Sequence, residues 1–295
     1  MKSTITGSLG NISKPLAESL IKKGHTVTII SSNKSKAKQI EALGAVAAIG
    51  SVEDAAFLTE TFKGADAVYL MIPPNHTVAD YRAYYNKIAQ HYASAIQSSG
   101  VKRVVALSSI GAHLQSGTGP IAGLYDTEHI LNKLDSVAVT SLRAGFFYTN
   151  FYNNTGMIKH AGIIGANYGV DTLLVMVNPA DIADAAAEEL IKPSAGKTIR
   201  YVASDEHTAR EIAAALGKAI GKPDLPWVEF SNEQSLNGMI QSGLSENIAR
   251  VYNEMGDAVR NAILWDDYLI QKPVLGKRKF EDFAKEFAKQ YQQEA

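Results

Sequence analysis

A chain of 295 residues can bury about 75% of its unfolded surface, and 46% hydrophobic with 20% charged residues marks it as globular rather than disordered. A net charge of −1 without a basic block argues against nucleic acid as a partner. The lack of cysteine excludes disulfides, thiolate catalysis and cysteine-bound zinc, and with no apolar run near the ~18 residues of a membrane helix and no secretory pattern after Met1, a cytoplasmic protein that does not enter membranes is the expectation.

The elements alternate along the chain. Residues 2–6 read as a strand running into Gly7, and Leu16, Leu20 and Ile21 give 14–23 a helical period ended by Gly24. Strand 25–30, helix 35–43, strand 46–49, helix 55–62 and strand 67–72 follow, the last cut off by Pro73-Pro74. A long helix is predicted over 78–98, then strand 104–107, a helix containing 128–134, and strand 137–142. Such alternation specifies βαβ units. The predicted fold is α/β: a Rossmann-type, doubly wound parallel sheet with a smaller, mostly helical C-terminal lobe. Residues 1–150 form the dinucleotide-type domain. Segment 151–169 reads as loop, and strand 172–177, helix 180–191 and strand 198–202 return to the sheet. Residues 151–171 and 204–295 make the second lobe, with helices at 208–220, 232–242, 246–263 and 280–292. Chemistry is expected in the cleft between the two.

The first functional signal is Gly7-Ser8-Leu9-Gly10-Asn11-Ile12-Ser13, between the first strand and the first helix. Gly7 permits a tight turn, Gly10 lets backbone approach a pyrophosphate, and the helix N-terminus offers N–H groups to phosphate. Ser13 stands where a third glycine is usual. The end of the second strand should meet the adenosine ribose, where NAD sites carry a carboxylate. Here the run is Ser31-Ser32-Asn33-Lys34-Ser35-Lys36. Hydroxyls, an amide and lysines suit a 2′-phosphate, so NADP(H) is expected over NAD(H).

With those residues in view, the chain resembles the NmrA-like branch of the atypical short-chain dehydrogenases/reductases, and within it the bacterial NAD(P)H:quinone oxidoreductases and triphenylmethane reductases. The likeness runs through Gly7-Ser8-Leu9-Gly10, Gly50-Ser51, Met71-Ile72-Pro73, Gly100-Val101-Lys102-Arg103, Leu107-Ser108-Ser109, Leu142-Arg143-Ala144-Gly145-Phe146-Phe147 and Leu275-Gly276-Lys277-Arg278-Lys279-Phe280. The resemblance implies that Ser51, Met71, Ile72, Pro73, Gly145 and Phe146 join the glycine turn, Ser32 and Lys36 around the cofactor. Ser32 falls where the family has arginine, and Ser51 where it has an acid.

The tyrosine–lysine pair of typical short-chain dehydrogenases is missing by this alignment. The family glutamate falls on Glu128, and four and eight residues earlier stand Leu124 and Pro120. Tyr125 and Ser108 are the candidates left for catalysis. Tyr125 shares a helix face with His129, as a tyrosine–imidazole pair or as packing and surface residues. Phe147, Tyr148 and Phe151, where the sixth strand opens, are candidates to stack on a flat aromatic substrate or to form core beneath the second lobe. Seven scattered histidines show no ligand spacing, so no metal is expected. Tyr81, Tyr85 and Tyr92 on one helix suit core packing or a homodimer contact. Asp181 suits a helix N-terminus, and Asp266-Asp267 and Glu281-Asp282 suit solvated faces. Two functional classes fit: a reductase of quinones or similar electrophiles, and an NAD(P)-sensing regulator without turnover.

Overall fold

The computed structural model describes residues 1–193 and 195–293. Strands are β1 Lys2–Ile5, β2 Thr26–Ser31, β3 Val46–Ile49, β4 Ala67–Leu70, β5 Arg103–Ser109, β6 Ala138–Ala144, β7 Phe146–Phe147, β8 Ile164–Ala166, β9 Leu173–Val177, β10 Lys197–Val202, β11 Asp205–Thr208 and β12 Trp227–Glu229. Helices are α1 Ser13–Lys22, α2 Ala37–Ala42, α3 Ala55–Phe62, α4 Tyr81–Ser99, α5 Ile121–Asn132, α6 Thr155–Ala161, α7 Pro179–Ile191, α8 Ala209–Ala219, α9 Asn232–Gln241, α10 Glu246–Arg260, α11 Asp266–Gln271 and α12 Phe280–Gln293. The main sheet runs β3-β2-β1-β4-β5-β6-β10, every pair parallel. Strand order reverses between β1 and β4, so their C-terminal ends open the crevice where a Rossmann sheet takes its ligand.

Alternation sorts the side chains of β5 between two cores. Val104 and Ala106 face the core under α4 and α5, and Val105 faces the core with α1 and α7. Tyr81, Tyr85 and Tyr92 lie in the first of these, so the tyrosine stripe is core. A third core holds Phe151, Ile158, Ile164, Trp227, Trp265, Phe280 and Phe287.

Three sequence expectations change. Helix α4 begins at Tyr81 rather than 78, because the Asp80 carboxylate caps Ala83 N–H. Segment 151–169 is not loop: a 3₁₀ turn over Tyr148–Asn154, α6 and β8 bury Phe151, Ile158 and Ile164 in the third core. Strand β9 does not return to the main sheet as expected. It pairs with β7 and β11 in a separate three-stranded sheet, with Val175 and Val177 drawn into different cores. Only β10 joins the main sheet, on the β6 edge. The short β11, β12 and α11 carried no readable period. Among the described residues, no helix is long and apolar enough to cross a membrane.

Helix α10 closes against the loop that leads into α5. Gly119 has φ +58°, and a Cβ there would lie 2.1 Å from the Val251 carbonyl oxygen and 3.0 Å from Met255 N. We expect Gly119→Ala to cost about 2–4 kcal/mol through overpacking and left-handed backbone strain, read as a lowered urea midpoint. An unchanged midpoint would show that this contact yields freely.

Candidate functional site

The turn after β1 is built to bring backbone close. Gly7 has φ +91°, and a Cβ there would sit 2.5 Å from Ser13 Oγ and 3.0 Å from Met71 Cγ. Ser13 explains the missing third glycine: its hydroxyl donates to the Thr6 carbonyl at 2.7 Å and fastens the start of α1 to the end of β1. Ser8, at φ +55°, donates its amide to Ile30 O at 3.1 Å and its hydroxyl to Ser31 Oγ at 2.9 Å. Gly10 donates to Gly7 O at 3.1 Å. Helix α1 has no side-chain cap and no acid in its first turn, so its N-terminal dipole is uncompensated. Gly10 and Asn11 are exposed, and Ser8 and Leu9 half-buried. Ile12 is buried in the core, so only its backbone faces this turn.

At the end of β2 the predicted residues divide. Ser31 is buried, and its hydroxyl is held by Ser8 and by Asn33 N–H at 3.2 Å. Asn33 is exposed. Its Oδ1 accepts from Ser35 N at 2.9 Å and Ser35 Oγ at 2.8 Å, which turns the amide Nδ2 away from the chain. Ser32 is exposed and Lys36 half-exposed beside it. Ser51 accepts from Glu53 N–H at 3.1 Å. Beyond β4, Met71 is half-buried, Ile72 belongs to the core, and the Pro73 carbonyl accepts from Tyr84 Oη at 3.1 Å. Gly145 answers to packing: a Cβ would lie 2.7 Å from Val175 O.

The C-terminal ends of β5 and β6 hold a buried charged chain. Register places Ser108 opposite Arg143 on the face covered by α5. Ser108 Oγ donates to Glu128 Oε1 at 2.5 Å. Arg143 grips the same carboxylate with Nε at 3.1 Å and Nη2 at 2.8 Å. Its Nη1 donates to Tyr201 Oη at 3.0 Å and Asp267 Oδ2 at 2.9 Å, and Tyr201 Oη donates to Asp267 in turn. Ser108, Glu128 and Arg143 are each at most 5% exposed. Burial opposes the Arg143 charge, but the Glu128 and Tyr201 bonds hold its pKa above the ordinary arginine value. Burial first, then Asp267, pushes the Tyr201 phenol up to about 12. Asp267 is therefore no solvated acid, a correction that no local spacing signalled. Burial lowers the His113 pKa, with Asp267 opposing, and its Nδ1 is buried without a hydrogen-bond partner. Tyr125 stands apart from this chain. Its half-buried ring lies 3.9 Å from that of His129, whose Nδ1 is 2.8 Å from the Tyr125 carbonyl.

The aromatic candidates separate by burial. Phe146 and Phe147 are half-buried. Tyr148 and Phe151 are core, at 0% and 2% exposure, against the expectation that they stack on substrate. Tyr148 donates its hydroxyl to Arg278 O at 3.1 Å and packs on Phe280 and Phe283. Asp181 does more than complement a helix terminus: it accepts from Ser204 Oγ at 2.5 Å and pairs with Arg278. Asp205, His207 and Glu281 bring ligand-type atoms within 4.8 Å of one another, but Lys279 Nζ lies 3.7 Å from Asp205 and already supplies a cation. A cavity of about 420 Å³, lined among others by Leu173, Val259, Arg260 and Trp265, includes none of the nucleotide-turn residues.

Comparison with known proteins agrees with this geometry. Residues 7–144 match a family model described as NAD(P)H-binding. The NAD(P)H azoreductase of Xenophilus azovorans is 25% identical over 292 residues, 96% of this chain and 97% of that protein. An NADPH-dependent quinone oxidoreductase from Escherichia coli shares the fold at TM-score 0.78 and 22% identity, covering 98% of this chain and 99% of that one. The triphenylmethane reductase of a Citrobacter species does so at 0.79 and 21%, covering 98% and 100%. The chain has the Rossmann fold of these proteins, and the part that matches the family model, residues 7–144, carries the glycine turn.

Removing one partner from the buried chain should be costly. Glu128→Ala is expected to lose about 3–5 kcal/mol in urea unfolding, because it strands much of the Arg143 charge, whereas Ser108→Ala should lose about 1 kcal/mol. Equal effects would mean that Glu128 and Arg143 are poorly coupled. Tyr201 supplies a pH test. The native state keeps its proton toward about pH 12, while an unfolded tyrosine releases it near 10. Its contribution is therefore intact below about pH 10 and is lost as pH rises through 12. Urea midpoints at pH 9, 10 and 11 should fall more shallowly in Tyr201→Phe than in the parent, and parallel curves would contradict this.

Proposed function

We propose that this chain is an NADPH-preferring reductase that passes hydride to flat, electrophilic acceptors of the quinone and dye type without a tyrosine–lysine acid. The observation that carries the reading lies on α5. By the family resemblance Leu124 and Pro120 fall at the places of the pair, and in α5 Glu128 is committed to Ser108 and Arg143. Such a site orients rather than protonates, which suffices for an acceptor that is already electrophilic.

The cofactor assignment follows from the fit of the turn. Gly7 and Gly10 leave the room that a pyrophosphate needs, and the amides of Asn11, Ile12 and Ser13 with the positive end of the α1 dipole would hold it, since Lys14 N–H is already given to Gly10 O and Pro15 has none. The Asn33 amide, the Ser32 hydroxyl and the Lys36 ammonium would meet a 2′-phosphate, and no carboxylate stands among residues 31–36 to repel it. The reduced nicotinamide, when bound, supplies the hydride. Phe147, half-buried after β6, would give the acceptor an apolar face that excludes water, while Phe146 packs on Phe151 toward the third core. The relatives support the reading: by name they include an NAD(P)H azoreductase, an NADPH-dependent quinone oxidoreductase and a triphenylmethane reductase.

The direct test is loss of absorbance at 340 nm with NADPH and NADH against quinones, cationic dyes and aldehydes. Faster NADPH oxidation with quinones or dyes is expected. Tight cofactor binding without turnover on any acceptor would overturn the reductase and leave a nucleotide sensor. Lys36→Ala should weaken NADPH about tenfold, the loss of one exposed phosphate contact, and leave NADH within about twofold. Gly10→Asp should abolish binding of both by calorimetry, since its carboxylate would occupy the phosphate path. Unchanged affinities would remove the phosphates from this turn.

A further inference from the structure

We propose that Asp205, His207 and Glu281 form a binding site for a divalent metal ion of the zinc type, set where the chain leading into α12 meets β11. None of the three belongs to the nucleotide turn or to the Arg143 chain, so the site stands or falls independently of the reductase reading.

The histidines show no ligand spacing in sequence because the third group comes from a distant element. Asp205 and His207 are two apart on β11, so alternation puts both side chains on one face of that strand. Antiparallel pairing with Met176 and Leu174 on β9 fixes them there. Glu281 stands in the first turn of α12. It is carried in by Phe280, whose buried ring lies 5.8 Å from that of His207. Ligand-type atoms of the three residues all lie within 4.8 Å of one another. A point central to three such atoms is at most ~2.8 Å from each, and zinc–nitrogen and zinc–oxygen bonds are ~2.0–2.2 Å. The exposed Glu281 side chain has the freedom to close that gap.

His207 separates this cluster from ordinary surface acids. Its Nε2 is buried and has no hydrogen-bond partner, although Asp205 Oδ2 is only 3.2 Å away. Nitrogen and carboxylate are close neighbours that are not aligned as donor and acceptor. Two ligands each ~2.0 Å from a tetrahedral ion are themselves ~3.3 Å apart, so this separation suits a shared ion. A bare ion is smaller than water and can bridge atoms that water does not reach. Behind the ring, Glu211 Oε2 lies 3.8 Å from Nδ1, held there by Thr208 N–H at 2.8 Å and Thr208 Oγ1 at 2.9 Å. That is the outer position from which a carboxylate orients a metal-bound imidazole.

Charge favours the same occupant. Lys279 already supplies a cation, but its ammonium donates to Ser204 O at 2.9 Å and faces Asp205 Oδ1 at 3.7 Å, not the oxygen beside His207. Phe280 N–H reaches Oδ2 at 3.3 Å and leaves that oxygen a lone pair. Against the three carboxylates of Asp205, Glu211 and Glu281, one ammonium leaves the deficit that a divalent ion fills. A nitrogen and two carboxylate ligands, with a fourth position open to water, select Zn²⁺ over Ca²⁺ and Mg²⁺, which take oxygen. The bound ion would join β11 to α12 and tie the end of the chain to the third core.

The test is calorimetry with ZnCl₂ on the full chain, freed of metal with EDTA and dialysed at neutral pH. One site with a Kd of about 1–10 μM is expected. His207→Ala should weaken it by about 100-fold and Glu281→Gln by about tenfold. Zinc should also raise the melting temperature of the parent and leave that of Glu281→Gln unmoved. Urea midpoints without metal check that His207→Ala folds; if it does not, Glu281→Gln, at an exposed position, decides alone. Binding no tighter than about millimolar would overturn the proposal. So would micromolar binding that either variant leaves unchanged, which is an adventitious ion on other side chains, or binding without a rise in melting temperature.

Discussion

A guanidinium held at 5% exposure is the constraint around which this end of the molecule is arranged. An unpaired buried charge costs several kcal/mol, so Arg143 must be met by partners wherever the chain can supply them. They come from separate elements: Glu128 from α5, Tyr201 from β10 and Asp267 from α11. Satisfying one side chain therefore fixes three others. It sets α5 over the end of β5 and holds the last strand of the main sheet in register. It also draws α11, which has a single buried residue, over the rim of the sheet. The apolar cores give these elements affinity for one another, and the charged chain gives them a particular alignment.

A second polar cluster does for the C-terminus what Arg143 does for the strand ends. Asp181, in the first turn of α7, accepts from Ser204 and pairs with Arg278, which also reaches Asp184 at 2.8 Å. Lys279 donates to Ser204 O at 2.9 Å, and Tyr148 closes the group from the 3₁₀ turn after β7. Gly276 is required because a Cβ would lie 2.2 Å from Asp181 Oδ2. The phrase Gly276-Lys277-Arg278-Lys279-Phe280 is thus a strap. Its charges anchor on α7 and β11, and its Phe280 enters the third core and starts α12. This also explains the burial of Tyr148 and Phe151: the strap and α12 lie over them, so residues that follow an open strand end in sequence are covered by chain arriving more than a hundred residues later.

That contrast marks what the sequence could disclose. The order of strands and helices through residue 144 was legible, because period, glycine stops and proline breaks are local, and a parallel βαβ series admits few arrangements. The glycine turn was legible for the same reason. Ser13 looked like an imperfect match, and its bond to Thr6 shows why a hydroxyl serves there. Beyond Asn150 the determinants are long-range. Strand β9 is apolar enough for the main sheet, yet β10 holds the edge beside β6 and β9 pairs elsewhere. Asp267 sits in an exposed-looking Asp-Asp pair, and its partner is 124 residues away. Tyr201 offered no motif at all. Polar partners across such separations leave no spacing to read, whereas Ser108 was visible near a strand end and Glu128 through the family resemblance.

The nucleotide lip follows the same economy of donors as the buried chain. Ser8 is satisfied by Ser31, Ser31 by Ser8 and Asn33, and the Asn33 carbonyl oxygen by Ser35. Each internal bond consumes one end of a polar group and thereby aims the other. The Asn33 amide nitrogen is left facing outward, while at the start of α1 the Lys14 N–H already donates to Gly10 O and Pro15 has none to give. A surface composed of donors already fixed in direction loses little conformational entropy when an anion arrives. At the end of β5 the same economy runs inward: Glu128 consumes the only proton of Ser108, both residues are buried, and the other bonds of that carboxylate go to Arg143.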